Sequence, residues 1–170
     1  MSAQIRFAKI MTDEERKTLF EWGKNIFGVE EMAYQWRPKV WHFFVEEGGK
    51  VVSHVGVVEA AVRAGDREVK VGGIGGVVSV PEVQGRGHIH KTMQRAVEFM
   101  RHELQVEFGM LFCLPRLVPF YGRQGWLLLE ETVEFEQPAG PVVSPFRSMI
   151  LSWDGRAWPA GKINVGGLPW

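Results

Sequence analysis

The spacing of apolar positions changes period several times along this chain, and each change predicts an element. Arg6 to Ile10 is short and extended in character. Thr12 and Glu15 then stand at capping-box spacing, and Leu19, Trp22 and Ile26 follow at helical intervals. That pattern predicts a first helix beginning at Thr12 and ending at Gly28. Residues 29–39 show no regular period. From Val40 the texture becomes rich in Val, Ile, Phe and Gly, with turn signals at Gly48-Gly49 and Gly65-Asp66. Three strands joined as an antiparallel meander are expected: Val40–Val45, Val51–Val62 and Glu68–Val80. Pro81 ends the third. Ile89, Met93, Ala96, Val97, Met100 and Leu104 then make the apolar stripe of a second helix, placed against a sheet. Phe108 to Leu114 reads as a buried strand, Pro115 to Gln124 as a brief helix closed by Gly125, and 126–136 and 146–153 as two further strands. With no internal repeat and no linker, the expectation is a single α/β (α+β) domain over residues 1–170.

Composition narrows the function classes. The 170 residues, 45% hydrophobic and 24% charged, are ordinary for a soluble globular domain. Lys and Arg number 20, as do Asp and Glu, and that balance speaks against nucleic acid as a partner. One cysteine, Cys113, excludes an internal disulfide framework and a CxxC-type zinc site, so no metal is expected. No apolar run reaches the roughly 18 residues of a membrane span, and a soluble, cytoplasmic protein is expected.

The chemistry concentrates in residues 77–90. A strand ends at Pro81, a glycine-bearing loop follows, and an amphipathic helix starts at once. The first turn of such a helix offers unpaired N–H groups and the positive end of its dipole, while glycines allow close approach, a combination suited to a diphosphate. The segment lacks the Gly-Lys-Ser/Thr of a P-loop. Gln84, Gly85, Arg86, Gly87 and His88 follow the Gln/Arg-x-x-Gly-x-Gly/Ala signature of the GNAT superfamily of acyl-CoA-dependent N-acyltransferases, with Ile89 departing from the small last position. Some thirty residues on, Leu117-Val-Pro-Phe-Tyr-Gly-Arg-Gln-Gly-Trp126 is similar to the family's Phe-Tyr-x-x-x-Gly-Phe/Trp segment. The two motifs stand in the family's order, and the resemblance covers about residues 40 to 136. It implies the GNAT fold: a mixed, mostly antiparallel central sheet flanked by helices.

The resemblance further implies acetyl-CoA as acyl donor. The N–H groups of Gln84 to Ile89 would hold its pyrophosphate, and the backbone of Val78, Ser79 and Val80 would pair with the pantetheine arm and polarise the thioester. Tyr121 matches the family's general acid; a phenol titrating near 10 suits a leaving thiolate. The base stays open among Glu59, Glu30, Glu31 and the terminal carboxylate of Trp170. Cys113 lies in an apolar run and reads as a buried hydrophobe, not a nucleophile. His54, between apolar neighbours, reads as a hydrogen-bonded sheet residue.

For the acceptor, the texture resembles the aminoglycoside 2′-N-acetyltransferase branch. The parallels are Val40-Trp-His, Val52-Ser-His-Val-Gly-Val, Val71-Gly-Gly-Ile-Gly-Gly-Val-Val and a final tryptophan after Asn164-Val-Gly-Gly-Leu-Pro. In that branch the C-terminal tail reaches the acceptor site. A small-molecule primary amine is expected, with an aminoglycoside the most specific case. A polycation calls for an acidic wall, to which Glu30, Glu31 and Glu134 could contribute while Trp36 stacks on a ring. Glu130, Glu131 and Glu136 are neighbours of Glu134, with no basic residue between Arg123 and Arg147. The alternatives are a protein, peptide or metabolite amine as acceptor, or a non-catalytic acyl-CoA-binding domain. Family members commonly form homodimers through late strands, which makes a homodimer an expectation here as well.

Overall fold

In the computed structural model, which describes residues 2–170, two long strands carry the architecture. β3 (Lys50–Ala64) and β4 (Arg67–Ser79) form an antiparallel hairpin turning at Gly65-Asp66. On one side of β4 lies β5 (Phe108–Cys113), followed outward by β9 (Arg147–Leu151) and β6 (Leu127–Leu129). The free side of β3 is shared. Its first half pairs with β2 (Trp41–Glu47), which pairs with β1 (Gln4–Ala8). Its far end pairs with β10 (Ile163–Asn164), and beyond it lie β7 (Val133–Gln137) and β8 (Gly140–Val143). The β4–β5 and β10–β7 pairs are parallel, and all others are antiparallel.

Three residues separate the end of β6 from the start of β7, yet the two strands stand towards opposite ends of the strand order. A link that short spans at most about 14 Å. The sheet therefore curls into a half-barrel. Its concave interior is filled by Phe108, Met110, Phe135, Phe146, Ile163 and Trp170. Helix α2 (His88–Phe99), continued by a π-helical turn over Met100–Leu104, packs on the convex face with Met93, Ala96 and Met100 against Val55, Val57, Ile74 and Leu111. The short α3 (Val118–Gly122) joins that cluster through Tyr121. Helix α1 (Asp13–Phe20) lies over Phe44 and Val78 through Leu19.

The expected capping box is formed: the Glu15 N–H donates to Thr12 Oγ1 at 3.1 Å, and the Thr12 N–H to Glu15 Oε2 at 3.0 Å. The helix stops at Phe20 instead of running to Gly28. Gly23 lies in the next turn, where a helix-interior glycine costs about 1 kcal/mol. The chain bends there, and Gly28, at φ +75°, donates its N–H to the Asn25 carbonyl. The single strand expected over 126–136 is two strands, broken at 130–132, because its halves join opposite ends of the curled sheet. β8 and β10 are additional strands.

Strand parity divides β3. Even-numbered residues from His54 to Ala64 face the concave side, whereas Val55 and Val57 face α2. Beyond the reach of α2, the odd positions 59, 61 and 63 meet solvent.

Candidate active site

The site begins where two parallel strands separate. Pairing between β4 and β5 runs from Val71↔Phe108 to Ile74↔Leu111 and stops, although β4 continues to Ser79 and β5 to Cys113. At the same point β4 is bulged against β3: Gly75 pairs with Gly56, but the next pair is Val78 with His54. Gly76 occupies the bulge at φ +59°, a left-handed conformation that only glycine adopts at low cost. Past the bulge the Val78 carbonyl accepts from Ser53 Oγ at 3.0 Å, and the Val80 N–H donates to Val52 at 2.9 Å, so both groups turn toward β3. Alternation along the strand then points the backbone groups of Ser79 into the gap. Of the three residues expected to pair with a pantetheine arm, Ser79 presents its backbone to the opening, and Val78 and Val80 frame it.

The loop lies at one mouth of this gap. Pro81–Val83 makes a 3₁₀ turn, and Gln84 donates its side-chain Nε2 to the Ser79 carbonyl at 3.0 Å, bracing the loop against the strand. Gly85 and Gly87 hold φ near +80°, with open space where a Cβ would stand. Among the described residues, the N–H groups of Gly85, Gly87, His88 and Ile89 have no protein acceptor. His88 reaches Glu47 at the end of β2 at 2.8 Å, and Arg86 lies 3.5 Å from the same carboxylate. Arg86, Lys91 and Arg95 are exposed around the mouth. Free N–H groups at the start of a twelve-residue helix, with exposed cations at 86, 91 and 95, favour negative charge there.

A cavity of about 690 Å³ continues from the gap to the other side of the sheet. Gly75, Gly76 and Val77 form one wall, Cys113 and Tyr121 stand at the convex side, and Phe20, Phe27, Trp36 and Phe112 supply aromatic lining. Tyr121 is 6% exposed, and burial, with the neighbouring Cys113, pushes its phenol above the ordinary value. Among the described residues its hydroxyl has no protein partner, and it is not sealed from solvent, so it keeps a proton to donate into the cavity. Cys113 is buried and its thiol is pushed up to about 11 by desolvation, with Arg147 acting weakly in the other sense. A thiol so perturbed is protonated at neutral pH and does not act as a nucleophile.

Lys39 enters from the chain before β2, passes over Gly56 and Gly75, and donates its Nζ to the Arg37 carbonyl at 2.9 Å. Burial, with Arg37 nearby, brings it down to about 8. Trp170 is seated inside the half-barrel, 3% exposed, with its indole Nε1 donating to the Met110 carbonyl at 3.1 Å. A Cβ on Gly73 would overlap its ring. Arg37 lies over that ring at 5.3 Å, and its N–H donates to the Pro169 carbonyl.

Of the other expected site residues, Glu30 and Trp36 line the cavity, although Glu30 is exposed and accepts from the Asn25 N–H. Glu31 is exposed and contributes no lining. Glu59 is not brought to the cavity: it lies at an odd position of β3, on the outer face, five residues from the inward His54. Glu134 is likewise remote, paired with Lys162 at 2.9 Å on β7. Two lining residues carried no signal of their own in the sequence. His42 lay in an apolar strand like many core histidines, and Lys39 in an irregular stretch.

Family comparison agrees with this geometry. Residues 8–129 match the acetyltransferase (GNAT) domain, and the chain belongs to that family of acyltransferase enzymes. Among solved structures, an acyl-CoA N-acyltransferase from Pseudomonas aeruginosa superposes with a TM-score of 0.61 at 20% identity, over 89% of this chain and 100% of that one. A GNAT family acetyltransferase from Brucella melitensis, in complex with acetyl-CoA, gives 0.55 at 17% identity over 94% of each chain. A probable N-acyltransferase from Enterococcus faecalis V583 gives 0.53 at 20% identity, over 74% of this chain but only 32% of its own length. At these identities the likeness is one of fold. No curated protein matches the chain.

Proposed function

We propose that this protein transfers an acetyl group from acetyl-CoA directly to a primary amine of a small molecule. The observation that carries this reading is one strand serving two features: β4 lines the Tyr121 cavity with Gly75, Gly76 and Val77 and runs on through Ser79 to the loop whose N–H groups have no protein acceptor among the described residues. The donor's pyrophosphate would rest on the N–H groups of residues 85–89, with Gln84 holding the loop in place. Its pantetheine arm would follow the strand edge at Ser79, and the thioester would lie at the Gly76 bulge. Acetyl-CoA in the Brucella melitensis protein supports the choice of donor. Tyr121 would protonate the departing thiolate; in water-poor surroundings a neutral phenol is the form retained, which suits an acid.

The finer question is the acceptor. The cavity wall is largely aromatic and aliphatic, with Glu30 as its only carboxylate side chain among the described residues and Arg16 and Lys39 as cations. Such a wall favours an amine on an apolar body. An aminoglycoside, the acceptor to which the sequence texture points, would depend on Glu30 and on the chain around Trp170, since Glu59 and Glu134 lie elsewhere. The test is thiol release from acetyl-CoA with benzylamine, phenylethylamine, polyamines, aminoglycosides and short peptides. Turnover of arylalkyl monoamines above aminoglycosides is expected. Preference for a polycation would overturn the apolar assignment, and no release with any amine would overturn the transferase reading itself.

A further inference from the structure

Two histidines on the acceptor side form a chain of hydrogen bonds whose direction is fixed at one end. His54 Nδ1 lies 2.6 Å from the Gly76 carbonyl, and His54 Nε2 lies 2.9 Å from His42 Nδ1. A carbonyl only accepts, so His54 must carry its proton on Nδ1, which leaves its Nε2 a bare acceptor. His42 must then donate from Nδ1. The remaining nitrogen, His42 Nε2, is left with a lone pair. It has no protein partner among the described residues, it is not sealed from solvent, and His42 lines the cavity. The anchor of the chain is the Gly76 bulge, where β4 and β5 part.

We propose that His42 is the general base that takes the proton of the attacking amine, and that His54 is a positioning residue that holds His42 in its Nδ1–H form. The inference rests on the transferase reading above. In the step, an ammonium proton passes to His42 Nε2, and the freed nitrogen lone pair forms the C–N bond at the thioester carbon. As the C–S bond breaks, the Tyr121 hydroxyl protonates the thiolate, and the nitrogen's second proton passes through solvent to the Tyr121 phenolate and restores it. Each turnover forms one amide and one thiol and releases one proton, carried out from His42.

The surroundings suit a base that stays neutral. Phe44 stacks on His42 and Phe20 meets His54 edge-on, both excluding water. His42 is held below its ordinary value by burial and by Lys39, against a weaker opposing pull from Glu15 on α1; Arg16 lines the cavity from the same helix. Arg6, on β1, is occupied by Glu15 and Glu46 over the Phe44 ring. Burial and Lys39 would also lower the ammonium of a bound amine, narrowing the gap across which the proton moves.

The test pairs a spectroscopic readout with a pH profile, on the full chain. ¹⁵N imidazole shifts of the wild type should show both histidines protonated at Nδ1 and bare at Nε2; a proton on His42 Nε2 overturns the proposal. Kinetics would use the best monoamine from the panel, with benzylamine as the reference probe. His42→Gln should lower kcat/KM at pH 7 by about 10²- to 10⁴-fold while leaving acetyl-CoA binding unchanged. The deficit should shrink about tenfold per pH unit as the free amine replaces the missing base. His54→Asn should lose less, with a displaced acid limb of the profile. A His42→Gln enzyme that binds acetyl-CoA and matches the wild-type rate and slope overturns the base. A wild type that acetylates no amine overturns the transferase reading, and the base with it.

Discussion

Tyr121 has a proton to give and, among the described residues, no protein atom to give it to. If it protonates the thiolate, Tyr121→Phe should lower kcat by about 10²- to 10⁴-fold, with little change in acetyl-CoA affinity by calorimetry. His54 lends itself to a test of stability. Burial lowers it from the ordinary 6.5 to about 3, outweighing the Gly76 hydrogen bond, so the unfolded chain binds more protons than the native one between those values. Its contribution is complete above about pH 6.5 and is lost as pH falls toward 3, by roughly 1.4 kcal/mol per unit. Urea unfolding of the wild type between pH 7 and 5 should show this loss, and His54→Asn should flatten it. Tyr121 was legible because it stands inside a motif. His42 was not: nothing in Trp-His-Phe-Phe separates a core histidine from one with a free nitrogen, and only the partner twelve residues away fixes its tautomer.

β4 owes its glycines to what crosses it. On the concave side Gly73 lies beneath the Trp170 ring, and on the convex side Gly72 lies against Met100. Gly73→Ala should therefore cost about 1–3 kcal/mol through overpacking. A double-mutant cycle with Trp170→Ala should show strong coupling, because the clash disappears with the ring. Around the cofactor loop the constraint is conformational. Gly87→Ala meets no atom but must hold φ +80°, which costs on the order of 1 kcal/mol. If the loop holds the donor's pyrophosphate as proposed, its larger effect should be weaker CoA binding, measured by calorimetry, since a methyl group would stand in the open space that the phosphates would enter. The elements marked by local chemistry were readable in the sequence: the capping box, the meander turns and the strand–loop–helix around Pro81. The break at 130–132 was not, because Trp126 to Glu136 alternates acceptably for one strand and only the curl of the sheet sends its halves apart.

Across the whole molecule, stability and site share Trp170. Its indole joins β4, β5 and the segment at Arg37 from within the half-barrel. Trp170→Ala should cost roughly 3–5 kcal/mol, and scanning calorimetry should show the melting temperature lowered by roughly 10 °C for a domain of this size. The resemblance placed this tryptophan near the acceptor, but its service as core could not be read without the curl. The glycine wall of β4 has one more consequence. At the proposed reaction centre Gly75 and Gly76 line the cavity with main chain, and main chain is the same whatever residue is coded. Substitution cannot readily re-tailor that side of the cavity. On that reading a change of acceptor would come from the lining side chains of Phe20, Phe27, Trp36 and Phe112, which would leave the acyl-transfer geometry as a fixed tool and those four side chains as its interchangeable grip.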